Sequence, residues 1–247
     1  MPRKARQKSN TGIYHIIIRG INRQDIFHDD EDKGVYLDRL SKYKADCGFE
    51  IYAYCLMGNH MHLLLKEGKT GISGIMKRIG TSYVYWYNRK YDRTGHLFQD
   101  RYKSEPIEDD SYLLTVTRYI HQNPVKIGLS IDSWTSYNDY LGNGNMTDTK
   151  PVLELFNLDI IKARNIFIEY VSEPNSDVCL EISETKRVTD KEAERLAKKL
   201  KLKNFQEIQQ TDKPKRDMIL KELKDAGLSI RQLERLTGIS RGVILKA

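Results

Sequence analysis

Two histidines separated by one residue are the most informative pattern in this chain. His60 and His62 flank Met61 and precede the apolar run 63–65, which together predict a β-strand. Alternate residues of a strand face the same side, so both imidazoles project to one face of the sheet. Two neutral imidazoles on one face can supply half of the ligands of a divalent-metal site.

A second pattern lies near the end of a predicted helix. Tyr119 and Asn123 are four residues apart and therefore share a helix face, one turn apart. Pro124 disfavours the α conformation at Asn123 and is expected to end the helix there. If this helix crosses the histidine strand, two imidazoles, an amide oxygen and a phenol surround one cation. That set suits attack of a phenolate on a phosphodiester while the metal polarises a non-bridging oxygen.

Each of these residues also has an ordinary structural interpretation. Strand histidines are often packed in a core, a helix tyrosine often packs with its hydroxyl bonded, and an asparagine before proline often only ends a helix. Four other histidines could replace the pair as ligands: His15, His28, His96 and His121. The pKa of tyrosine is ordinarily about 10, so a phenolate at neutral pH needs a nearby cation or base.

The elements that position these residues predict an α+β domain. Apolar patterning gives strands at 14–18, 49–56, 60–65 and 96–107, and helices at 29–47, 70–91 and 109–123. The order β-α-β-β-α-β-α is ferredoxin-like with one extra helix. We therefore expect a ferredoxin-like antiparallel sheet with helices on one face, plus a C-terminal all-helical extension. A Gly58-Asn59 turn would join the second and third strands.

The net charge of +7 is concentrated in the C-terminal quarter. Residues 185–247 contain 17 Lys and Arg against 9 Asp and Glu, which gives +8, so the remaining residues sum to −1. A basic segment favours a polyanion such as nucleic acid, although a solvated lysine-rich surface has the same composition. The basic first ten residues are a candidate arm over a phosphate backbone.

The pattern of breakers divides the chain into three parts. We expect a catalytic domain at 1–150, a helical connector at 151–175 and a basic helical domain at 176–247. A predicted helix at 152–170 forms most of the connector. The last domain ends in a helix-turn-helix-like pattern at 228–243, for which a purely structural helical hairpin is the alternative.

Composition also bears on location. No apolar run reaches membrane-spanning length, and the basic N-terminus is not followed by the apolar core of a secretory signal. Cys47, Cys55 and Cys179 form no zinc-binding or paired pattern, which favours reduced thiols. These features predict a cytoplasmic protein with no membrane partner.

Four motifs together closely resemble the single-tyrosine transposases of the HUH endonuclease superfamily, and most closely the REP-associated tyrosine transposases. The motifs lie at 14–20, 57–65, 95–103 and 119–125, and the resemblance spans roughly residues 12–140. The resemblance implies that His60 and His62 bind a metal, with Asn123 as the third ligand. It also implies that Tyr119 is the nucleophile that forms a 5′-phosphotyrosine on single-stranded DNA.

The resemblance further implies a Mg²⁺ or Mn²⁺ cofactor and hairpin-forming single-stranded DNA as the partner, cleaved near the foot of the stem. Imidazole favours later metals, so we expect Mn²⁺ to support activity at least as well as Mg²⁺. The sequence leaves the oligomeric state open, a homodimer included. The candidate DNA contacts are Arg19, Arg23, Gln99, Arg101, Lys103 and Arg241.

Two other functions remain compatible with these residues. One is a hairpin DNA- or RNA-binding module or regulator that does not cleave, because ferredoxin-like sheets also bind RNA. The other is a metal-dependent hydrolase that uses water, in which the Tyr119 hydroxyl would matter little.

Overall fold

A four-stranded antiparallel sheet carries the two predicted histidines. Its strands are β1 (Ile13–Arg19), β2 (Glu50–Met57), β3 (His60–Lys66) and β4 (Lys103–Ile107), in the spatial order β2-β3-β1-β4. The structure is a computed structural model that describes residues 6–181, 188–200 and 202–247. The α+β class and the ferredoxin-like sheet are confirmed, and β2 and β3 are joined through the predicted turn at 58–59.

Two long helices connect the strands and cover one face of the sheet. They are α1 (Asp30–Cys47), between β1 and β2, and α2 (Ile72–Lys90), between β3 and β4. Asp29 and Asp32 form a capping box at the start of α1, and Gly48 ends the helix in the left-handed conformation, with φ of 67°. The buried side chains of both helices share a core with alternate residues of β1 and β3, such as Ile16 and Leu63.

The opposite face of the sheet is covered by later helices. These are α3 (Asp110–Gln122), the single turns α4 (Tyr137–Tyr140) and α5 (Lys150–Leu153), and α6 (Ile160–Ser172). Val116 and Ile120 of α3 pack in a second core with Ala53 and Leu64 of the sheet. The prediction of helices on one face holds for α1 and α2 and is incomplete for the whole domain. Because β2 and β3 are buried on both sides, both faces need cover.

Two predicted elements are shorter than expected. The strand predicted at 96–107 pairs along β1 only from Lys103, and upstream it makes a single bridge between Phe98 and Gly20. Leu97 is buried in the core with α1 and α2, and Phe98 packs against it, which takes this segment away from the ladder. The helix predicted at 152–170 is interrupted because Asp159 caps a new helix, α6, by accepting from backbone N–H groups.

The helix ends as predicted, because α3 stops at Gln122 with Asn123 as its C-cap, but the expectation that Pro124 disfavours the α conformation at Asn123 is wrong. Both residues are in the right-handed helical region, and a short 3-10 helix (Val125–Ile127) continues to Gly128, whose φ is 79°. The Asn123 N–H donates to the Ile120 carbonyl, which is three residues back rather than four. Pro124 is tolerated because it starts this new turn, where its missing N–H needs no partner.

The C-terminal part of the chain forms its own unit. Contacts separate Met1–Ile182 from Ser183–Ala247. The second unit contains α7 (Asp190–Lys199), a 3-10 helix (Phe205–Gln210), α8 (Lys213–Asp225), α9 (Ile230–Thr237) and α10 (Arg241–Lys246). These elements pack around a separate apolar core that includes Leu220, Leu233 and Ile244.

Two short helices lie at the predicted helix-turn-helix-like pattern. Gly238, with φ of 70°, ends α9, and Ser240 precedes α10. The division into a catalytic domain, a connector and a basic domain stays a prediction. The first five residues of the predicted arm and the start of the basic segment lie outside the described residues. No helix within the described ranges has the length and apolar character needed to cross a membrane.

Candidate functional site

His60 and His62 lie side by side on the face of β3 that α3 covers. Their ring centroids are 5.2 Å apart. His62 is 3 % exposed, and His60 is half-buried near the end of the strand. Across the sheet, Arg19 of β1 stands opposite His60, so its side chain projects to the same face. The pair therefore sits on a largely buried surface with a cation beside it.

Burial keeps both imidazoles neutral at ordinary pH. It lowers the pKa of His60 to about 4, and the positive charge of Arg19 acts in the same direction. Burial also lowers the pKa of His62 well below 6.5, with neighbouring histidines as further causes. The neutral imidazole is the form that coordinates a cation, since protonation occupies the ligating nitrogen.

One ring nitrogen of each histidine already has a neighbour. Nδ1 of His62 lies 3.0 Å from Nε2 of His15, and Nδ1 of His60 lies 2.7 Å from Oδ1 of Asn59. The remaining nitrogen, Nε2, is the atom left on each ring for a ligand. His15, considered above as a replacement ligand, is fully buried and contacts His62 directly. Sequence reasoning missed this role because it depends on the pairing of β1 with β3.

The other three histidines have surroundings of their own. His28 Nε2 bonds the Tyr87 hydroxyl at 2.7 Å. His121 Nε2 bonds Ser136 at 2.8 Å in the second core, and its burial lowers its pKa to about 3. His96 is exposed in the loop that precedes β4. No contact between these three and the His60–His62 pair is seen in the described part of the chain.

Tyr119 approaches the histidines from α3. Its ring centroid is 5.7 Å from that of His62 and 6.0 Å from that of His15, and the residue is 2 % exposed. The ammonium of Lys126 lies 3.8 Å from the centroid of the phenol ring. A cation at this distance is favourable for a developing phenolate. The histidine strand and the tyrosine helix thus meet, which is the condition under which these side chains could surround one cation.

Asn123 lies one turn after Tyr119 and is 8 % exposed. Its Nδ2 donates to the Tyr119 carbonyl at 2.8 Å, which leaves the amide oxygen to accept or coordinate. Two imidazole nitrogens and one amide oxygen fit a divalent cation whose other ligands are water and phosphate oxygens. Among the described residues, no group of three or more His, Cys, Asp or Glu side chains could hold a metal ion.

Glu181 is a site residue that sequence reasoning missed. The Tyr119 hydroxyl donates to its Oε1 at 2.7 Å. Burial raises the pKa of Tyr119 above 10, and the hydrogen bond to Glu181 raises it further. In this arrangement the phenol keeps its proton at neutral pH. No sequence spacing could have revealed the contact, because 62 residues separate the two.

Glu181 reaches the phenol because the segment 173–181 runs back along α3. Arg118 holds this segment through two bonds to Asp177, of 2.8 and 3.0 Å. Gln122 donates to the backbone carbonyls of Val171 and Glu173. Arg118 and Gln122 of α3 therefore hold the segment that places the Glu181 carboxylate at the Tyr119 hydroxyl.

Two of the predicted DNA-contact residues belong to the same sheet face as the histidines. Arg19 is opposite His60, and its Nε is buried with no hydrogen-bond partner among the described residues. Lys103 of β4 is exposed and pairs with Ile17, which in turn pairs with His62. Both side chains thus supply positive charge within one or two strands of the imidazoles.

The other four predicted contacts lie outside the strands of the sheet. Gln99 and Arg101 are exposed in the loop that precedes β4, and Arg23 is exposed after β1, with a left-handed φ of 63°. Arg241 lies in the C-terminal unit, where it bonds the carboxylate of Glu234. That ion pair reduces the charge that Arg241 offers to DNA.

Comparisons with known proteins agree with the motifs. Residues 8–123, just under half of the chain, match the family described as Transposase IS200 like. None of the curated proteins matches the chain. Among solved structures, it is similar to a REP-associated tyrosine transposase bound to a REP hairpin. The two are 20 % identical, the TM-score is 0.49, and the match covers 60 % of this chain and 94 % of the other.

A second solved structure is that of a candidate transposase from Deinococcus radiodurans R1. It is 18 % identical, with a TM-score of 0.35, and the match covers 52 % of this chain and 99 % of the other. The segment matched by the family model contains His60, His62, Tyr119 and Asn123. Residues 8–123 of this chain are therefore similar to the IS200-like transposase family.

Proposed function

We propose that this protein is a metal-dependent single-stranded DNA endonuclease and transesterase, which nicks hairpin-containing DNA through Tyr119 and can rejoin the strands. The observation that carries the proposal is the position of the Tyr119 ring, 5.7 Å from the ring of His62. A phenol beside two neutral imidazoles is an arrangement that a simple binding sheet does not need. The transposase family of residues 8–123 supports the same chemistry.

In the proposed reaction, Oη of Tyr119 attacks the phosphorus of a phosphodiester. The Oη–P bond forms and the P–O3′ bond breaks, which leaves a 5′-phosphotyrosine and a 3′ hydroxyl. The phenol proton passes to water, and the departing 3′ oxygen takes up a proton from water. Because one ester replaces another, a DNA 3′ hydroxyl can reverse the step without a nucleoside triphosphate.

The surrounding residues would orient and neutralise the phosphate. His60, His62 and Asn123 would hold Mg²⁺ or Mn²⁺, whose charge lowers the cost of the developing negative charge. Arg19, with its unpartnered Nε, would donate to a phosphate oxygen, and Lys103 would contact the next phosphate along the sheet. Lys126 would favour the phenolate form of Tyr119.

A covalent-adduct assay tests the proposal. The protein is incubated with Mn²⁺ and a DNA hairpin that carries single-stranded flanks, and the products are separated under denaturing conditions. We expect a protein–DNA adduct that Tyr119→Phe abolishes and that Tyr43→Phe, a hydroxyl deletion on α1, leaves intact. An adduct that persists in Tyr119→Phe would show that the nucleophile is a different residue.

The same assay separates the alternative functions. A module that binds hairpins without cleaving them is favoured by one observation, the hydrogen bond that keeps the Tyr119 hydroxyl on Glu181. That function predicts hairpin binding with neither adduct nor nick at any Mn²⁺ concentration. A water-using hydrolase predicts nicked DNA with no adduct, at a rate that Tyr119→Phe does not change.

A further inference from the structure

A groove of about 660 Å³ opens beside α2, on the sheet face opposite to the histidines. Its floor is apolar and includes Ile18 of β1 and Val84 of α2. Three aromatic side chains also line it: Tyr85, Phe98 and Tyr102. Tyr85 is 72 % exposed, which is unusual for a large aromatic residue on a long helix. The groove thus offers flat apolar surface to solvent.

The width of the groove depends on one helical glycine. Lining residues of α2 recur every three to four positions, so one face of that helix forms the wall. Gly80 is at the middle of this face. A Cβ atom built there would lie 3.7 Å from Cε2 of Phe98, which is an ordinary contact. A larger side chain at this position would occupy the space between the helix and Phe98.

The charge of the groove is predominantly positive. Arg6, Lys77 and Arg101 line it, against the single carboxylate of Asp100. The guanidinium of Arg6 stacks 3.7 Å above the ring of Tyr102 and donates to its carbonyl at 3.1 Å. Aromatic faces next to cations are the surface on which an unpaired nucleobase stacks while its phosphates are neutralised.

A second groove adjoins this one at the edge strand β4. Its volume is about 360 Å³, and it shares Arg6, Asp100, Arg101 and Tyr102 with the first. It continues past Lys103 to Leu180. Leu180 precedes the residue whose carboxylate bonds Tyr119. The described surface therefore offers a path from the first groove over the β4 edge to the residue before Glu181. Three basic side chains, Arg6, Arg101 and Lys103, line this path against one carboxylate, Asp100.

We propose that the α2 groove binds one unpaired nucleobase of the DNA strand that flanks the cleavage site. The base stacks against Tyr85 and Phe98, and its phosphate contacts Lys77 or Arg101. The strand then crosses β4 towards Tyr119. This inference rests on the proposed function, because the base that we place in the α2 groove belongs to the same single-stranded substrate that Tyr119 would cleave. It also predicts that the protein selects DNA with an accessible base outside the hairpin stem.

The test uses two matched glycine substitutions in the full-length protein. Gly80→Leu fills the groove, whereas Gly34→Leu places the same side chain on α1 at a position where an added Cβ meets nothing within 4 Å. Both replace a helical glycine by a better helix former, so neither should weaken its helix. Tyr85→Ala, with Tyr85→Phe as its conservative control, removes one stacking face from a side chain that is mostly in solvent.

The probe is a hairpin oligonucleotide that carries 2-aminopurine at successive flank positions, without added metal so that no cleavage occurs. We expect fluorescence quenching at one position, with loss of that quenching in Gly80→Leu and Tyr85→Ala. Affinity in these two variants should fall about tenfold, as expected for one lost base–aromatic stack. Gly34→Leu and Tyr85→Phe should behave as the unaltered protein.

An abasic nucleotide supplies the second measurement. At the quenched position it should weaken binding by the unaltered protein about tenfold and have no further effect on Gly80→Leu. The inference is overturned if Gly80→Leu leaves the quenching unchanged, or if no abasic position affects binding. Either result would still be compatible with the proposed function if the covalent adduct with Tyr119 forms. A protein that binds no hairpin and forms no adduct would refute both.

Discussion

His15 and His62 form a buried imidazole pair across neighbouring strands, with Nε2 of the first 3.0 Å from Nδ1 of the second. The other ring nitrogen of His15 lies 3.9 Å from Oε2 of Glu105, which faces it from β4. The Tyr112 hydroxyl donates to the same carboxylate at 2.8 Å. At this distance the carboxylate makes no hydrogen bond to His15, but its negative charge favours a proton on Nδ1 of His15. Nε2 of His15 then accepts from Nδ1 of His62, which leaves the Nε2 lone pair of His62 for a ligand.

The first prediction concerns His15. His15→Phe keeps an aromatic ring in the core but removes the partner of His62, so Mn²⁺ affinity should fall about tenfold to a hundredfold. Titration of free Mn²⁺ by electron paramagnetic resonance measures this without any reaction. His96→Gln, at an exposed histidine, is the control and should bind Mn²⁺ normally. Unchanged affinity in His15→Phe would mean that the pair is only structural.

The second prediction concerns Glu181. Its carboxylate keeps the proton on Tyr119 and adds negative charge beside the incoming phosphate. Glu181→Gln removes the charge and leaves an acceptor oxygen, so the rate of adduct formation near pH 7 should rise about tenfold, the equivalent of one pKa unit. Glu173→Gln, on the same segment, should change the rate little. A slower reaction in Glu181→Gln would instead identify the carboxylate as the base that removes the phenol proton.

The third prediction concerns stability against pH. His121 is fully buried and its pKa is lowered from 6.5 to about 3. Below pH 6.5 the unfolded chain therefore binds a proton at His121 that the folded protein does not bind. The free energy of unfolding is highest above pH 6.5 and decreases as the pH falls towards 3. Between pH 7 and pH 5, His121 should account for a loss of about 2 kcal/mol in the free energy of unfolding.

Urea denaturation at the two pH values measures this loss. In His121→Gln the difference between pH 7 and pH 5 should be smaller by about 2 kcal/mol, even if the variant is less stable at both. The comparison of differences cancels the contribution of other titrating groups. If the free energy of unfolding changes equally between pH 7 and pH 5 in the two proteins, His121 binds its proton as readily in the folded state as in the unfolded chain.

The fourth prediction concerns the basic C-terminal unit. Lys198 and Lys199 are exposed in the last turn of α7. If both contact phosphates of a single strand, Lys198→Gln with Lys199→Gln should reduce the slope of log affinity against log salt by about 1.4, or about 0.7 for each contact. Lys150→Gln, at an exposed lysine paired with Glu154, should leave the slope unchanged. An unaltered slope in the double variant would argue against a DNA contact at α7.

Local sequence determined the elements and the face on which the histidines lie. Alternation along β3 gives His60 and His62 a common direction whatever the rest of the fold does, and a spacing of four places Asn123 one turn after Tyr119. The order of strands and helices then limits the topology to few choices, which is why the ferredoxin-like sheet could be predicted. The same local rules located the end of α3 but gave the wrong backbone conformation for Asn123, because Pro124 opens a new helical turn there.

Tertiary structure alone decided which distant groups touch the predicted ones. The contact of His15 with His62 depends on the register of two strands, and the contact of Glu181 with Tyr119 depends on a segment folding back along α3. Neither contact produces a repeating pattern in the sequence, because long-range packing depends on shape and charge and not on the spacing of residues along the chain. The α2 groove likewise could not be predicted from the sequence. The missing side chain of Gly80 leaves open space only because the fold places Phe98 opposite it.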